Sequence, residues 1–316
     1  MIIASDLTKF YGDKPAVMGV NFKIGKGEAV GFLGLNGAGK TTVLRMMAGD
    51  LLPSGGRIQI DGQDLAERPR RLGTWVGFLP ENPPIYPAMK VSEYLYYLGR
   101  LRGLGRSSAK SAVLGAVEKT GLSQVVEQTA DTLSHGFKKR LGIAQAIVHG
   151  PKLVILDEPT SGLDPVQIVE MRFLIQRLAS DRTILLSSHH LAEVRETCSR
   201  FILLKDGAVV AEGTEDELAS RLTSAGAINI TVKGSMEKAK EALTKLDGIE
   251  DIRFDQGQGQ QININVSTSK DIRAEAARAL VGAGLDLLGL AKAGDDLEEV
   301  FLKVTRDTQG EVQGHA

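Results

Sequence analysis

The sequence predicts an α/β fold: a mainly parallel core sheet, a helical subdomain inserted into it, and a small α+β domain after it. Three observations predict this. Short continuous apolar runs alternate with amphipathic stretches through the first two thirds of the chain. Residues 90–150 carry helical spacing and no convincing strand. From about residue 221 strands and helices follow in the order β-α-β-β-α-β. The composition agrees, with 36 glycines against nine phenylalanines, five tyrosines and one tryptophan. Many glycines and few aromatics suit tight backbone turns around an α/β core.

The first runs are Ala29-Val30-Gly31-Phe32-Leu33 and residues 153–156, 183–186 and 201–204. Runs so short and so uniformly apolar fit strands covered on both faces. Residues 42–48 and 166–178 read as helices of the core, and 92–102, 108–120 and 138–148 as helices of the insertion. In the last third, 228–232, 252–254, 262–266 and 285–290 read as strands, and 236–246, 271–281 and 297–304 as helices. Gln256-Gly257-Gln258-Gly259-Gln260 is the expected hairpin turn. The alternation Ile262-Asn263-Ile264-Asn265-Val266 gives one apolar and one polar face, a sheet covered by helices on one side. The expected domains are therefore 1–220, with its helical subdomain at about 82–150, then 221–305, then a flexible polar tail at 306–316.

Bulk properties exclude several classes. The net charge is −1, so no global basic field argues for nucleic acid, and none is expected as a partner. Cys198 is the single cysteine, which forbids an intrachain disulfide and suits a reducing compartment. The start, Met1-Ile2-Ile3-Ala4-Ser5-Asp6, is not expected to be a signal peptide. No apolar stretch approaches the ~20 residues that span a bilayer. A role at a membrane would go through a partner.

Gly34-Leu35-Asn36-Gly37-Ala38-Gly39-Lys40-Thr41 fits the phosphate-binding pattern G-x-x-x-x-G-K-[ST]. A buried strand precedes it and a helix follows, as the chemistry requires. Glycines let backbone N–H groups turn toward phosphate oxygens, and the helix start adds partial positive charge. Lys40 reaches the β- and γ-phosphates of a nucleotide such as ATP, and the Thr41 hydroxyl can ligate Mg²⁺. Leu153-Val154-Ile155-Leu156-Asp157-Glu158 supplies the complement. Four apolar residues bury the strand and two carboxylates emerge at its end, where open α/β sheets place ligands. Asp157 would hold Mg²⁺ through its water shell, and Glu158 would polarise the attacking water.

Further motifs select among nucleotide hydrolases. Leu133-Ser134-His135-Gly136-Phe137 precedes the acidic strand, Ser161-Gly162-Leu163-Asp164 follows it, Ser188-His189 comes later, and Gly77-Phe78-Leu79-Pro80-Glu81 comes earlier. Over residues 1–220 the chain resembles the ATP-binding subunits of ABC transporters. Leu79-Pro80-Glu81, residues 160–165 and the ending Asp296-Leu297-Glu298-Glu299-Val300-Phe301-Leu302 look like the ABC-2 exporter class, and the stretch around His135 and Gln167 is similar to gliding-motility-type ATPases. The resemblance implies ATP contacts from Tyr11 (stacked on adenine), Val17, Asn36, Gly37, Ala38, Gly39, Lys40, Thr41, Thr42 and Glu81. It implies a switch histidine at His189, a signature at Ser134, His135, Gly136 and Phe137 acting across a dimer, and a D-loop with Ser161 and Asp164. It also implies a homodimer closing on two ATP molecules, driving an integral-membrane permease from its cytoplasmic face.

Three positions depart from the family pattern. His135 replaces a signature glycine, Phe137 replaces the glutamine, and Glu81 stands where a neutral amide is usual. Glu81 could ligate the metal, be solvated, or touch the permease. Two other functions stay open: a soluble ABC ATPase not coupled to transport, and a weakly active regulatory subunit. The chain has one set of motifs and no sustained heptads between Lys40 and Asp157, against the first; intact Lys40, Asp157, Glu158 and His189 argue against the second. Lys138 and Lys139 are read as a solvated basic patch, and His190 as structural. His149 is read as a helix-end residue that caps or, as a cation, suits the helix dipole, Tyr94, Tyr96 and Tyr97 as an aromatic core cluster, and Cys198 as a small packed residue.

Overall fold

The computed structural model describes residues 1–67, 74–189, 191–222, 228–257 and 261–292. The chain divides between Glu212 and Gly213 into two compact units.

The first unit opens with strands the sequence reading did not anticipate. β1 (Ile2–Tyr11) and β2 (Lys14–Ile24) form a hairpin around Gly12-Asp13, with Gly12 at φ 59° in the turn. β4 (Gly55–Ile60) and β5 (Gln63–Asp64) extend it to an antiparallel sheet ordered β2-β1-β4-β5. The core sheet is separate and has the order β10-β9-β3-β8-β7-β6. Its strands are β3 (Ala29–Leu33), β6 (Val76–Leu79), β7 (Leu153–Asp157), β8 (Thr183–Ser188), β9 (Arg200–Lys205) and β10 (Ala208–Gly213). The pairs β3–β8, β3–β9, β6–β7 and β7–β8 are parallel. Every residue of β7 and β8 is buried, as continuous apolar runs require in a parallel sheet. Phe22, Phe32, Leu44 and Ile155 belong to the core that fills the space around helix α1 (Lys40–Met47).

The inserted subdomain holds α2 (Val91–Leu101), α3 (Arg106–Thr120) and α4 (His135–Ile147). Helix α4 starts at His135, three residues before the start expected at residue 138. Ser134 explains the shift: its hydroxyl accepts from the Phe137 N–H at 3.3 Å, a helix N-cap worth about 1 kcal/mol. A Cβ on Gly77 would lie 1.8 Å from the Ala146 carbonyl oxygen, so only glycine lets β6 approach α4 so closely. The aromatic cluster takes Tyr86 in place of Tyr96. The Tyr86 ring lies edge-on to Tyr94 and Tyr97 at 6.0 Å from each, while the Tyr94 hydroxyl donates to Gln145. Tyr94 and Tyr97 stand one helical turn apart, and Tyr96 lies off that face. After β7 come α5 (Pro165–Ala179) and, after β8, the short α6 (Leu191–Arg195).

The second unit begins with α7 (Glu215–Leu222). Thr214 and Glu217 cap it reciprocally, each accepting from the other's backbone N–H at 3.3 and 3.0 Å. Then follow β11 (Ile228–Lys233), α8 (Met236–Thr244), β12 (Ile249–Gln256), β13 (Gln261–Thr268), α9 (Arg273–Gly282) and β14 (Asp286–Lys292). The sheet order is β12-β13-β11-β14, with antiparallel pairs β11–β13, β11–β14 and β12–β13. Ile230, Ile264 and Val266 bury one face against Leu243 of α8 and Leu280 of α9. β12 and β13 pair on either side of the expected turn, with Gln256 opposite Ile262; residues 258–260 of that turn lie outside the described residues. His190, the helix expected at 297–304 and the tail 306–316 lie outside the described residues.

Candidate ATP-hydrolysing site

The site lies at the ends of the parallel strands, all within the first unit. β3 delivers the glycine-rich loop, and α1 begins at Lys40 directly after Gly39. Gly39 sits at φ 100°, a left-handed conformation that favours glycine, and a Cβ there would lie 2.8 Å from the Ala16 carbonyl oxygen. That approach draws the loop tight around a central cation. Lys40 is 6% exposed, and its Nζ donates to the carbonyl oxygens of Gly34 at 2.7 Å and Leu35 at 3.3 Å. Burial holds its ammonium below the ordinary lysine range, opposed by the carboxylates of Glu158, Asp157 and Glu81.

β7 delivers the acids. Asp157 is 1% exposed; its Oδ1 accepts from the Ser187 hydroxyl at 2.6 Å, and its Oδ2 is buried with no hydrogen-bond partner. Glu158 bridges two groups. Its Oε1 lies 3.8 Å from Lys40 Nζ and its Oε2 lies 2.9 Å from His189 Nδ1. The pairing of Asp157 with Ser187 across β7 and β8 places the serine, whose hydroxyl also accepts from the Glu158 N–H at 3.1 Å. Glu158 holds φ 48°, unusual for a residue with a side chain. Ser187 was missed in the sequence reading because its role depends on strand register, which no local pattern shows.

A cavity of about 490 Å³ gathers Asn36, Gly37, Gly39, Lys40, Thr41 and Thr42 with Glu81, Glu158, Ser161 and His189. Ala16 also lines it, whereas Val17 is fully buried beneath Gly39. Ala38 is buried in the loop's support, its carbonyl accepting from the Gly207 N–H. Tyr11 is 50% exposed, with Lys9 Nζ 5.7 Å from its ring centre, and does not line this cavity. Asp164 caps α5 by accepting from the Gln167 N–H at 2.9 Å. The unpartnered Asp157 oxygen and the Thr41 hydroxyl are the hard oxygen donors that Mg²⁺ takes. Among the described residues no three His, Cys, Asp or Glu side chains gather as a metal cage, so further ligands would come from phosphate and water.

The signature residues sit elsewhere in the same unit. His135 lines a second cavity of about 330 Å³ with Glu81, Lys138 and Lys139, and its Nε2 is 3.3 Å from the Ser161 carbonyl oxygen. A Cβ on Gly136 would lie 2.8 Å from Gln167 Oε1. Lys139 overturns the solvated-patch expectation. It is 3% exposed and donates to the backbone carbonyls of Glu81 and Glu158. Its place on the inner face of α4, packed on the core, removes it from solvent. His149 also differs from a charged helix-end residue. Its ring contacts the Val76 carbonyl at 3.2 Å, and burial, with Arg102 nearby, pushes its pKa down to about 4.

The ABC transporter family pattern matches residues 17–161. The linearmycin resistance ATP-binding protein of Bacillus subtilis (strain 168) is 30% identical over 98% of this chain and 99% of its own length. The bacitracin transport ATP-binding protein of Bacillus licheniformis is 33% identical over 96% of this chain and 97% of its own. This chain belongs to the ATP-binding subunits of ABC transporters. It is an ABC ATPase, the subunit that hydrolyses ATP for transport. A Nod factor export ATP-binding protein of Rhizobium etli is 32% identical over 95% of this chain and 92% of its own. Among solved structures, an ATP-binding subunit of an ABC transporter superposes with a TM-score of 0.64 at 30% identity, covering 70% of this chain and 92% of that one. A dimeric ATP-binding cassette bound to ADP and phosphate shares the fold, at TM-score 0.62 and 24% identity over 68% of this chain and 98% of that one. Among the described residues no helix is long and apolar enough to cross a membrane.

Proposed function

We propose that this ABC ATPase powers an exporter of the ABC-2 class, as a head-to-tail pair of copies on the cytoplasmic face beneath an integral-membrane permease. The observation that carries the catalytic reading is the Glu158 carboxylate, held between Lys40 and His189 at the mouth of the phosphate loop. Backbone N–H groups from Asn36 to Thr42 receive the phosphates, and Lys40 turns from its carbonyl partners to the β- and γ-phosphates. Glu158 accepts the proton of the attacking water while His189 fixes its orientation. Bound Mg²⁺, held by Thr41, Asp157 and Glu81, would neutralise phosphate charge. Tyr11 stacks on adenine, and Val17 and Ala38 support the loop from beneath. The second copy's Ser134, His135, Gly136 and Phe137 close the site in trans, with Ser161 and Asp164 carrying the D-loop across. Export is supported by relatives named for bacitracin transport and Nod factor export.

The domain layout of this reading is 1–220, 221–305 and a tail at 306–316. The second domain is of the ferredoxin-like type, supported by its β-α-β-β-α-β order and the strand order β12-β13-β11-β14. Its role is self-association or regulation rather than ligand binding. The test of the catalytic reading is a pair of variants of the full chain. Glu158→Gln keeps shape but loses the base, so it should bind ATP normally, turn over at least about 100-fold more slowly, and accumulate a closed dimer with ATP. Lys40→Ala should instead weaken ATP binding itself, by roughly 10- to 100-fold. Normal hydrolysis by Glu158→Gln would sink the assignment.

A further inference from the structure

Helix α4 carries the signature, yet its most buried polar group points inward. Lys139 is 3% exposed, and its Nζ donates to Glu81 O at 2.8 Å and to Glu158 O at 3.2 Å. Among the described residues it makes no close ion pair; two backbone carbonyls hold its ammonium, and the carboxylates of Glu81, Glu158 and Asp157 favour its charge from further off. Both carbonyls belong to residues of the nucleotide cavity. Burying an ammonium is costly unless it is well hydrogen-bonded, so the arrangement is a built one.

The Glu158 end is the informative one. With φ 48°, Glu158 occupies a conformation that costs a non-glycine residue roughly 1–2 kcal/mol and persists only when its surroundings hold it. Its N–H is held by Ser187, from the core sheet. Its carbonyl is held by the Ser161 N–H at 3.2 Å, within the same turn, and by Lys139, from the inserted subdomain. His135, four residues earlier on α4, reaches the Ser161 carbonyl at 3.3 Å. One helix therefore grips both ends of the turn from Glu158 to Ser161. A peptide plane fixed at its carbonyl fixes the direction in which the side chain leaves the backbone.

We propose that Lys139 is a positioning residue for hydrolysis, clamping the Glu81 and Glu158 carbonyls so that the base is aimed only while the helical subdomain is seated on the core. This rests on Glu158 being the base. Movement of α4 away from β7 withdraws the ammonium, frees the strained peptide and turns the carboxylate from its line. Loss of the clamp leaves the phosphate loop, with Lys40 and Thr41, untouched. The effect therefore falls on turnover and not on ATP binding.

The experiment compares the full chain with Lys139→Met and Lys139→Gln, measuring kcat, KM and ATP affinity by a fluorescent nucleotide. Lys139→Met keeps bulk and removes the donors; kcat should fall by about 10- to 100-fold, the scale of a misplaced reacting group, with KM and ATP affinity within about twofold. Lys139→Gln restores amide donors without charge and should recover part of the lost kcat. In a Glu158→Gln background, Lys139→Met should slow the residual turnover no further, because the group it aims is gone. An unchanged kcat in Lys139→Met, a parallel loss of ATP affinity, or a Lys139→Gln variant as slow as Lys139→Met overturns the proposal. Should the Met variant fail to fold, Lys139→Gln alone decides: a kcat loss at constant affinity supports the clamp, and unchanged or jointly reduced parameters overturn it. A dead Glu158→Gln beside a fully active Lys139→Met removes the clamp and leaves the base in place; an active Glu158→Gln removes the base itself.

Discussion

Glu81 shows how one residue can divide its backbone from its side chain. Its carbonyl is pinned by the buried Lys139 ammonium, while its carboxylate is exposed and makes no hydrogen bond among the described residues. The side chain borders the cavity of the phosphate loop and also the cavity lined by His135. A carboxylate so placed can meet a cation at the first cavity without moving its backbone, and a charged oxygen attracts Mg²⁺ more strongly than an amide oxygen. Glu81→Gln should therefore raise the Mg²⁺ concentration for half-maximal ATPase activity by severalfold, on the order of one charge-assisted contact. An Mg²⁺ titration of turnover, with ATP saturating, measures it. Unchanged metal dependence means that Glu81 serves another contact, the permease among them.

At the scale of elements, α4 runs from its contacts with the catalytic turn to His149, which follows its last turn. That imidazole is neutral in the fold, with its pKa at about 4 against an ordinary value of 6.5. The unfolded chain takes up the proton first as pH falls. The stability from keeping His149 neutral is thus full above about pH 6.5 and lost progressively down to about pH 4, on the order of 3 kcal/mol. His149→Gln keeps a donor for the Val76 carbonyl and does not titrate, so its thermal midpoint should fall less between pH 7 and pH 5 than that of the parent chain. Equal slopes would assign the acid sensitivity to other groups. Elements differed in how plainly the sequence announced them. β3, β7, β8 and β9 are unbroken apolar runs and were legible; so were Asp157 and Glu158 at the end of one of them. The antiparallel β1 and β2 were not, because bulges break their alternation: register shifts fall between Ala4 and Leu7 and again before Lys9, and Asp6 and Gly19 take positive φ. Lys139 was misread for a related reason. Its neighbours Lys138 and Arg140 are only partly buried, and a run of three cations gives no sign of which one turns inward.

The whole molecule places its chemistry and its C-terminal sheet in different units. Every residue lining the phosphate cavity lies before Glu212. The core of the C-terminal sheet is drawn entirely from residues 228–290, with Ile230, Val232, Ile264 and Val266 packed on Ala239, Leu243, Ala276 and Leu280. Such a core can form without the rest of the chain. The edge strand β12 carries Glu250, Asp251, Arg253 and Asp255 among its exposed residues, charges that discourage indiscriminate strand pairing. The polar face of the sheet presents Asn229, Thr231, Asn263 and Asn265, with the Thr231 hydroxyl bonded to Asn263. Arg253, opposite Asn265, and Lys233, opposite Gln261, add exposed charges to the same face, a polar mixture suited to a specific protein contact. If this domain promotes self-association, its removal should change the concentration dependence of activity and leave the chemistry of each site intact. A chain ending at Leu222 is expected to bind ATP as the full chain does, and to reach the same turnover at high protein concentration. It should need a higher concentration to reach half of it, and form less ATP-trapped dimer when Glu158→Gln is added, as read by light scattering. A shortened chain that dimerises and hydrolyses ATP equally well at every concentration removes self-association from the domain's account. A shortened chain with weakened ATP affinity would show that the second domain reaches the nucleotide after all.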